Sequence, residues 1–265
     1  MAIAIISGAG PLDLRAGHAR AILLLHGFGD TPQTLHYLAQ YLHERGFDVR
    51  VPLLPGHGRS VEELDATPHQ AWIDAARAEL YAMRARYPWA GLGGLSMGGA
   101  IAAILAADVH DLPSLVLLAP YLAIPRRIRW LAASQAIWNE RVGPIRVQSP
   151  MSIRDPDERA ANLAYGAVTG HAVHELVALV RAAQRALPRV QAPTLLIQSD
   201  EDNRVPASVA RRAMDALGSR RKRLVFTHGA GHIITVDYGR EHVFEEVCTW
   251  LEGGPGTSPQ PGHPG

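Results

Sequence analysis

Ala21-Ile22-Leu23-Leu24-Leu25 carries no polar side chain at any position, so a strand made from it has two apolar faces and needs cover on both. Ser114–Ala119 and Thr194–Ser199 have much the same character, and Phe47–Leu54, Ala90–Gly93 and Leu224–Thr227 also read as strands. Between these runs the apolar spacing changes to that of helices. Leu35, Leu38, Ala39 and Leu42 share one face of a segment opened by Thr31-Pro32, with the threonine as cap and the proline in the first turn. Trp72, Ala76, Leu80 and Met83 follow Thr67-Pro68-His69-Gln70, which has the capping-box arrangement. Further helices are expected behind Ser96, around Val209–Leu217 and over Tyr238–Leu251. Alternation of this kind predicts an α/β fold with a mostly parallel central sheet flanked by helices.

The alternation lapses from Tyr121 to Arg189, where arginines, Trp130, Trp138 and two short helical patterns replace strong strands. One of these patterns places Val173, Leu176, Val177 and Val180 on a single stripe. The expected organisation is therefore a core made of residues 1–120 and 190–252, with residues 121–189 inserted as a small helical cap or lid over a pocket. Gly253–Gly265 is rich in glycine and proline, offers nothing apolar to bury, and is expected to be a disordered tail.

With 265 residues, 47% of them hydrophobic, the chain can bury a full-sized core. A net charge of +1 and the lack of a long basic stripe argue against nucleic acid as a partner. Arg220-Arg221-Lys222-Arg223 reads as a solvated loop before a strand. The single cysteine, Cys248, excludes a disulfide framework; it shares a helical stripe with Phe244, Val247 and Leu251 and reads as an inert buried thiol. The N-terminal apolar run is too short for a signal peptide and no stretch approaches transmembrane length, so a cytoplasmic location without stable membrane insertion is the expectation.

The chemistry centres on Gly94-Leu95-Ser96-Met97-Gly98, between a strand pattern and the small-residue helix that starts at Gly99. A serine on so sharp a strand-to-helix turn needs flanking glycines, and the turn lifts its hydroxyl clear of the sheet at the positive end of a helix. Such a hydroxyl needs a base, and histidine suits neutral pH. Among thirteen histidines, His232 follows the last strand in Gly229-Ala230-Gly231-His232, while its rival His228 sits at the strand end, where its direction is less free. A carboxylate must orient the imidazole, and three follow the Thr194–Ser199 strand: Asp200, Glu201 and Asp202. Asp202 begins Asp-Asn-Arg-Val-Pro, with Pro206 opening the next helix, and the chain order Ser, Asp, His fits the order of strand-turn-helix hydrolases. An oxyanion hole would use the N–H of Met97 and, from His26-Gly27-Phe28-Gly29, that of Phe28, with His26 holding the loop.

These segments, with Gly56-His57-Gly58, Ser199 through Pro206 and Gly231 through Asp237, resemble the α/β-hydrolases, and more closely the small bacterial carboxylesterases and monoacylglycerol lipases. The resemblance spans nearly everything except the tail. It implies an α/β-hydrolase fold with a cap, Ser96 as nucleophile, Asp202 as acid, His232 as base, and a structural role for His57. Asn162-Leu163-Ala164-Tyr165 resembles a cap segment of the lipases whose first position is a glutamate that contacts glycerol; here it is Asn162, and Ala119 stands where those lipases have an asparagine. The charged acceptor for glycerol is thus missing.

The expected activity is hydrolysis of carboxylic esters of short- to medium-chain acyl groups, monoacylglycerols among the candidates, through an acyl-enzyme. Gly27, Asn162, Trp130, Ile137 and Trp138 are the expected substrate-binding residues. No cofactor is expected, and no zinc-like ligand spacing occurs to suggest a metal. Amide, thioester and peracid chemistry use the same triad, and a non-catalytic ligand-binding relative is the alternative from another class. Haloalkane dehalogenation needs a carboxylate nucleophile where this chain has Ser96.

Overall fold

The computed structural model describes residues 3–125, 132–133, 143–146 and 149–253. Its strands are β1 (Leu12–Leu14), β2 (Arg20–Leu25), β3 (Phe47–Val51), β4 (Trp89–Leu95), β5 (Leu115–Leu118), β6 (Ile145–Arg146), β7 (Ala167–Val168), β8 (Thr194–Ser199) and β9 (Lys222–Thr227). Among the described residues, seven of them form one sheet in the order β1-β3-β2-β4-β5-β8-β9. Every neighbouring pair is parallel except β1 with β3. This is the α/β-hydrolase fold. β6 and β7, which lie between β5 and β8 in the chain, pair separately and antiparallel.

β2 organises the sheet. From it the chain steps to β3 on one side, then returns to place β4 on the other, with Leu25 opposite Gly94. The loops leaving the C-terminal ends of β2 and β4 therefore part from each other and leave a crevice between them, the place where open parallel sheets take ligands. Leu23 and Leu25 point to a core layer containing Trp72 and Leu80 of α3 (His69–Arg86, after α1, His36–His43, and α2, Val61–Asp65). Ile22 and Leu24 point the other way, to Leu38 and Leu42 of α1 and to Val243 and Val247 of the last helix. Burying one such leucine fully contributes about 2–3 kcal/mol.

α4 (Met97–Asp108) lies inside the first layer, and every residue from Met97 to Ala107 is buried. Its glycines and alanines allow this, because the helix axis must come close to the sheet on one side and to other helices on the other. Beyond it come α5 (Pro156–Ala161), α6 (Gly170–Ala186), α7 (Ala207–Ala216) and α8 (Arg240–Glu252). α6 contributes Leu176, Leu179 and Val180 to the same layer as α3 and α4, while its Val173 and Val177 meet Val168 and Ala132. Cys248 is buried on α8 beside Val247 and Leu251, and burial pushes its thiol up to about 11. No helix among the described residues is long and apolar enough to cross a membrane. The expected tail beyond Gly253 lies outside the described residues.

Thr31 caps its segment as expected, accepting from Gln33 N–H with Pro32 in the first turn; that turn is 3-10, Pro32–Leu35, and α1 follows. Two local expectations give way. The capping box at Thr67 does not form: the Thr67 hydroxyl donates to Glu63 O, and the His69 N–H is met instead by the Glu175 carboxylate of α6 at 2.8 Å. A charged acceptor from a packed helix outcompetes the local side chain. Lys222 and Arg223, read as loop, form the exposed start of β9.

Gly98 shows how closely α4 approaches the sheet. A Cβ built there would lie 2.0 Å from the carbonyl oxygen of Leu25 in β2. Gly98→Ala must push helix and strand apart, and we expect a loss of about 2–3 kcal/mol of stability, read as a lower urea midpoint at unchanged m-value.

Candidate active site

Ser96 sits between β4 and α4 with φ 54° and ψ −113°, a conformation that non-glycine residues rarely adopt. The turn is held from both sides. Ser96 N–H donates to Leu118 O, while Ser96 O accepts from Ala100 and Tyr121 N–H groups. Gly94 is required because its Cβ would meet Gly98 O at 2.2 Å. Ala119, at the end of β5, is a second buried non-glycine residue with positive φ, at 41°.

His232 Nε2 lies 2.7 Å from Ser96 Oγ, and His232 Nδ1 lies 2.7 Å from Asp202 Oδ2. A carboxylate can only accept, so Nδ1 carries the proton and Nε2 presents its lone pair to the hydroxyl. Asp202 Oδ2 also accepts from Gln198 Nε2 at 2.7 Å, and Oδ1 accepts from the N–H groups of Arg204 and Val205. Burial alone would raise this carboxyl, yet the charge and hydrogen bond of His232, with the two backbone donors, hold it below the usual carboxylate range. The rival groups lie elsewhere. His228 is largely exposed and bonds Asp200 at 2.6 Å, and Glu201 pairs with Arg154.

The N–H groups of Phe28 and Met97 have no hydrogen-bond acceptor among the described residues. The Phe28 ring packs edge-on against Trp72 and His57, with centroids 5.9 and 6.4 Å away, which fixes the loop that carries its N–H. His26 uses both nitrogens on backbone: Nδ1–H donates to Gly27 O, and Nε2 accepts from Leu54 N–H. Burial, then the neighbouring His57, keeps it neutral, with its pKa well below the ordinary value. His57 donates from Nδ1 to Pro55 O, and burial lowers it to about 4.

Gly27, Phe28, Ser96, Tyr121, Asn162 and His232 all border a cavity of about 210 Å³. Its apolar wall includes Ile153, Val168, Val173, Leu176 and Ile233. Tyr165 ties the segment before β7 to this site, since its N–H donates to Gly29 O and its hydroxyl to Gly56 O. Trp130, Ile137 and Trp138, expected to bind substrate, lie outside the described residues.

Asp30, Gln198, Arg159 and Arg204 were not singled out from the sequence. The His-Gly-Phe-Gly-Asp run placed Asp30 next to the expected oxyanion loop, which is the one signal that could have found it. A Cβ on Gly27 would lie 3.5 Å from Ser96 Cβ and 3.6 Å from Asp30 Oδ2, so the absent side chain leaves the space between serine and carboxyl open. A further group, His18, His43 and Asp48, gathers potential ligand atoms within 4.8 Å at the opposite end of the sheet. Asp48 there already accepts from the N–H groups of Ala16 and His18 and from the Tyr87 hydroxyl.

Burial pushes the Asp30 carboxyl up to about 6, against the lowering effect of bonds from Thr31 and Thr34 and the nearby His232. The folded chain therefore holds this proton more tightly than the unfolded chain. The resulting stability is present in acid and disappears as pH rises through about 6. Asp30→Asn, which cannot ionise, is expected to raise stability at pH 8 by up to about 3 kcal/mol and to change it little at pH 4, measured by urea denaturation.

Comparison with known proteins places this geometry in context. The family model described as "Serine aminopeptidase, S33" (Hydrolase_4) matches residues 16–238. A thermostable monoacylglycerol lipase from Bacillus sp. (strain H-257) is 28% identical over 242 residues, covering 91% of this chain and 93% of the relative. A carboxylesterase from Bacillus subtilis (strain 168) is 26% identical, covering 91% and 96%. A solved structure from work on LipS and LipT, two metagenome-derived lipolytic enzymes, superimposes with a TM-score of 0.85 at 26% identity, over 94% of this chain and 99% of that one. The extent of the match, the sheet order and the serine turn all agree: this chain belongs to the serine aminopeptidase S33 family of α/β-hydrolases.

Proposed function

We propose that this chain is a serine esterase that hydrolyses carboxylic esters of short- to medium-chain acyl groups through an acyl-enzyme. The observation that carries the reading is the unbroken hydrogen-bond chain Ser96–His232–Asp202 opening onto a cavity with an apolar wall. His232 takes the Ser96 proton as Oγ attacks the ester carbonyl, and the two free N–H groups of Phe28 and Met97 receive the oxyanion. The protonated His232 then gives that proton to the departing alcohol. Water, activated in turn by His232, attacks the acyl-serine and releases the acid.

Asp202 and its donors hold the imidazole in the required tautomer and stabilise its charged form. Gly27 leaves room for the acyl carbon beside Ser96, and Asn162 contacts the substrate from the rim. Residues 121–189 act as the cap over this pocket, with α6 shared between cap and core. The names of the relatives, a monoacylglycerol lipase and a carboxylesterase, support ester chemistry.

Ser96→Ala is expected to lower kcat on p-nitrophenyl butyrate by at least about 10⁴-fold, and Asp202→Asn by about 10⁴-fold through the wrong tautomer. A fluorophosphonate should add stoichiometrically to Ser96, read by peptide mass spectrometry, and the adduct should be lost in His232→Ala. Substantial esterase activity in Ser96→Ala would overturn the mechanism. Absence of any adduct in the wild-type chain would favour a ligand-binding relative instead.

A further inference from the structure

The half-buried rim of the cavity is unlike its apolar wall. Arg159 and Arg204 border it together with Asn162, Ser149 and Ser152. Arg159 makes no ion pair among the described residues. Its Nη1 donates to the carbonyls of Ile153 and Arg154, with a longer contact to Pro150, which fixes the plane of the guanidinium. Nε and Nη2 have no partner among the described residues, so two donors of a pinned cation remain unused. Arg204 is fixed as well: its N–H bonds Asp202, and its Nε donates to Ser152 Oγ at 3.1 Å.

Asn162 gives the rim the same polarity. Its Oδ1 already accepts from Ala164 N–H at 2.7 Å, which spends one of that oxygen's two lone pairs and leaves the Nδ2 donors unused. The carboxyls that do approach the cavity are otherwise engaged. Asp202 faces His232 with its side chain wholly buried, and Asp30, which borders the cavity beside Gly27 on the Ser96 side, accepts from Thr31 N–H.

A rim made of donors and cations is matched by an acceptor-rich anion. We propose that Arg159, Arg204 and Asn162 form a subsite for an anionic oxygen group, so that the preferred ester carries a carboxylate or a phosphate away from the scissile bond. This rests on the esterase reading above and deepens it: the apolar wall takes the acyl or alcohol chain, and the rim holds its charged end. A free glycerol hydroxyl pair would leave the Arg159 charge unmatched.

The test compares kcat/KM for neutral and anionic esters of equal length at low ionic strength. One arm sets monophenyl adipate against phenyl hexanoate, with the charge on the acyl side. A second sets 4-(butyryloxy)benzoate against phenyl butyrate, with a carboxylate on the alcohol. A third sets butyryl glycerol 3-phosphate against monobutyrin, with a phosphate. At least one anionic ester should be preferred by about 10-fold or more, the scale of a charge-assisted hydrogen bond, and the arm that responds identifies the group. Arg159→Gln should cut that anionic-to-neutral ratio by about 10-fold, chiefly through KM, and Arg159→Lys should restore part of it. Arg204→Gln reads the same ratio independently, should the Arg159 variants fold poorly. Equal or better turnover of the neutral ester in every arm overturns the subsite, as does a preference that survives both Gln variants. In either case fluorophosphonate labelling of Ser96 leaves the esterase reading standing; no labelling and no ester turnover would remove both.

Discussion

The backbone of Ser96 is the constraint around which this molecule is built. Holding a side-chain-bearing residue at φ 54° costs about 1–3 kcal/mol, and it persists only where the surroundings over-determine it. Here they do. β5 supplies Leu118 O, the following loop supplies Tyr121 N–H, and the first turn of α4 supplies Ala100 N–H. The glycines at 94 and 98 then let β4, α4 and β2 approach to distances that no Cβ would permit. The small-residue helix, the parallel neighbours and the crevice beside β2 all serve one purpose: to hold a hydroxyl above the sheet in a conformation the chain would not choose unaided.

The three members of the hydrogen-bonded chain come from loops after β4, β8 and β9, far apart in sequence and brought together at the C-terminal ends of the strands. Parallel topology makes this possible, because every such strand releases its loop at the same end. At the other end of the sheet the chemistry differs. Asp48 spends its carboxylate on backbone N–H groups and a tyrosine, and so fastens the segment before β2. Like residue types thus do different work according to which end of the strands they occupy.

What was legible in the sequence was what local geometry dictates. The serine turn needs its glycines within two residues, and His232 and Asp202 stand directly behind strands whose apolar character is unmistakable. Their meeting could be anticipated because a parallel sheet leaves little choice. Groups that depend on distant partners were not legible. Asp30 matters because Gly27 leaves it open to Ser96, and Gln198 because its strand aims it at Asp202. The Thr67 capping box failed for the same reason, since Glu175 reaches His69 from 106 residues away. β1 escaped notice because three residues are too few to show a period, and only its pairing with β3 defines it.

Asp237 has a role that reaches beyond its own turn. Its carboxylate accepts from the N–H groups of Gly231 and Tyr238 on the His232 loop, and from those of Arg154 and Asp155, which directly follow the cavity-lining Ser152 and Ile153. Ile233 N–H adds a bond to Ser152 O, and Gly231 has no Cβ because Met151 O occupies that place. Rim and imidazole are thereby one mechanical body. Any widening of the cavity along this wall must either break several charge-assisted bonds or carry the His232 loop with it. The width of the entrance and the aim of the base share a single degree of freedom.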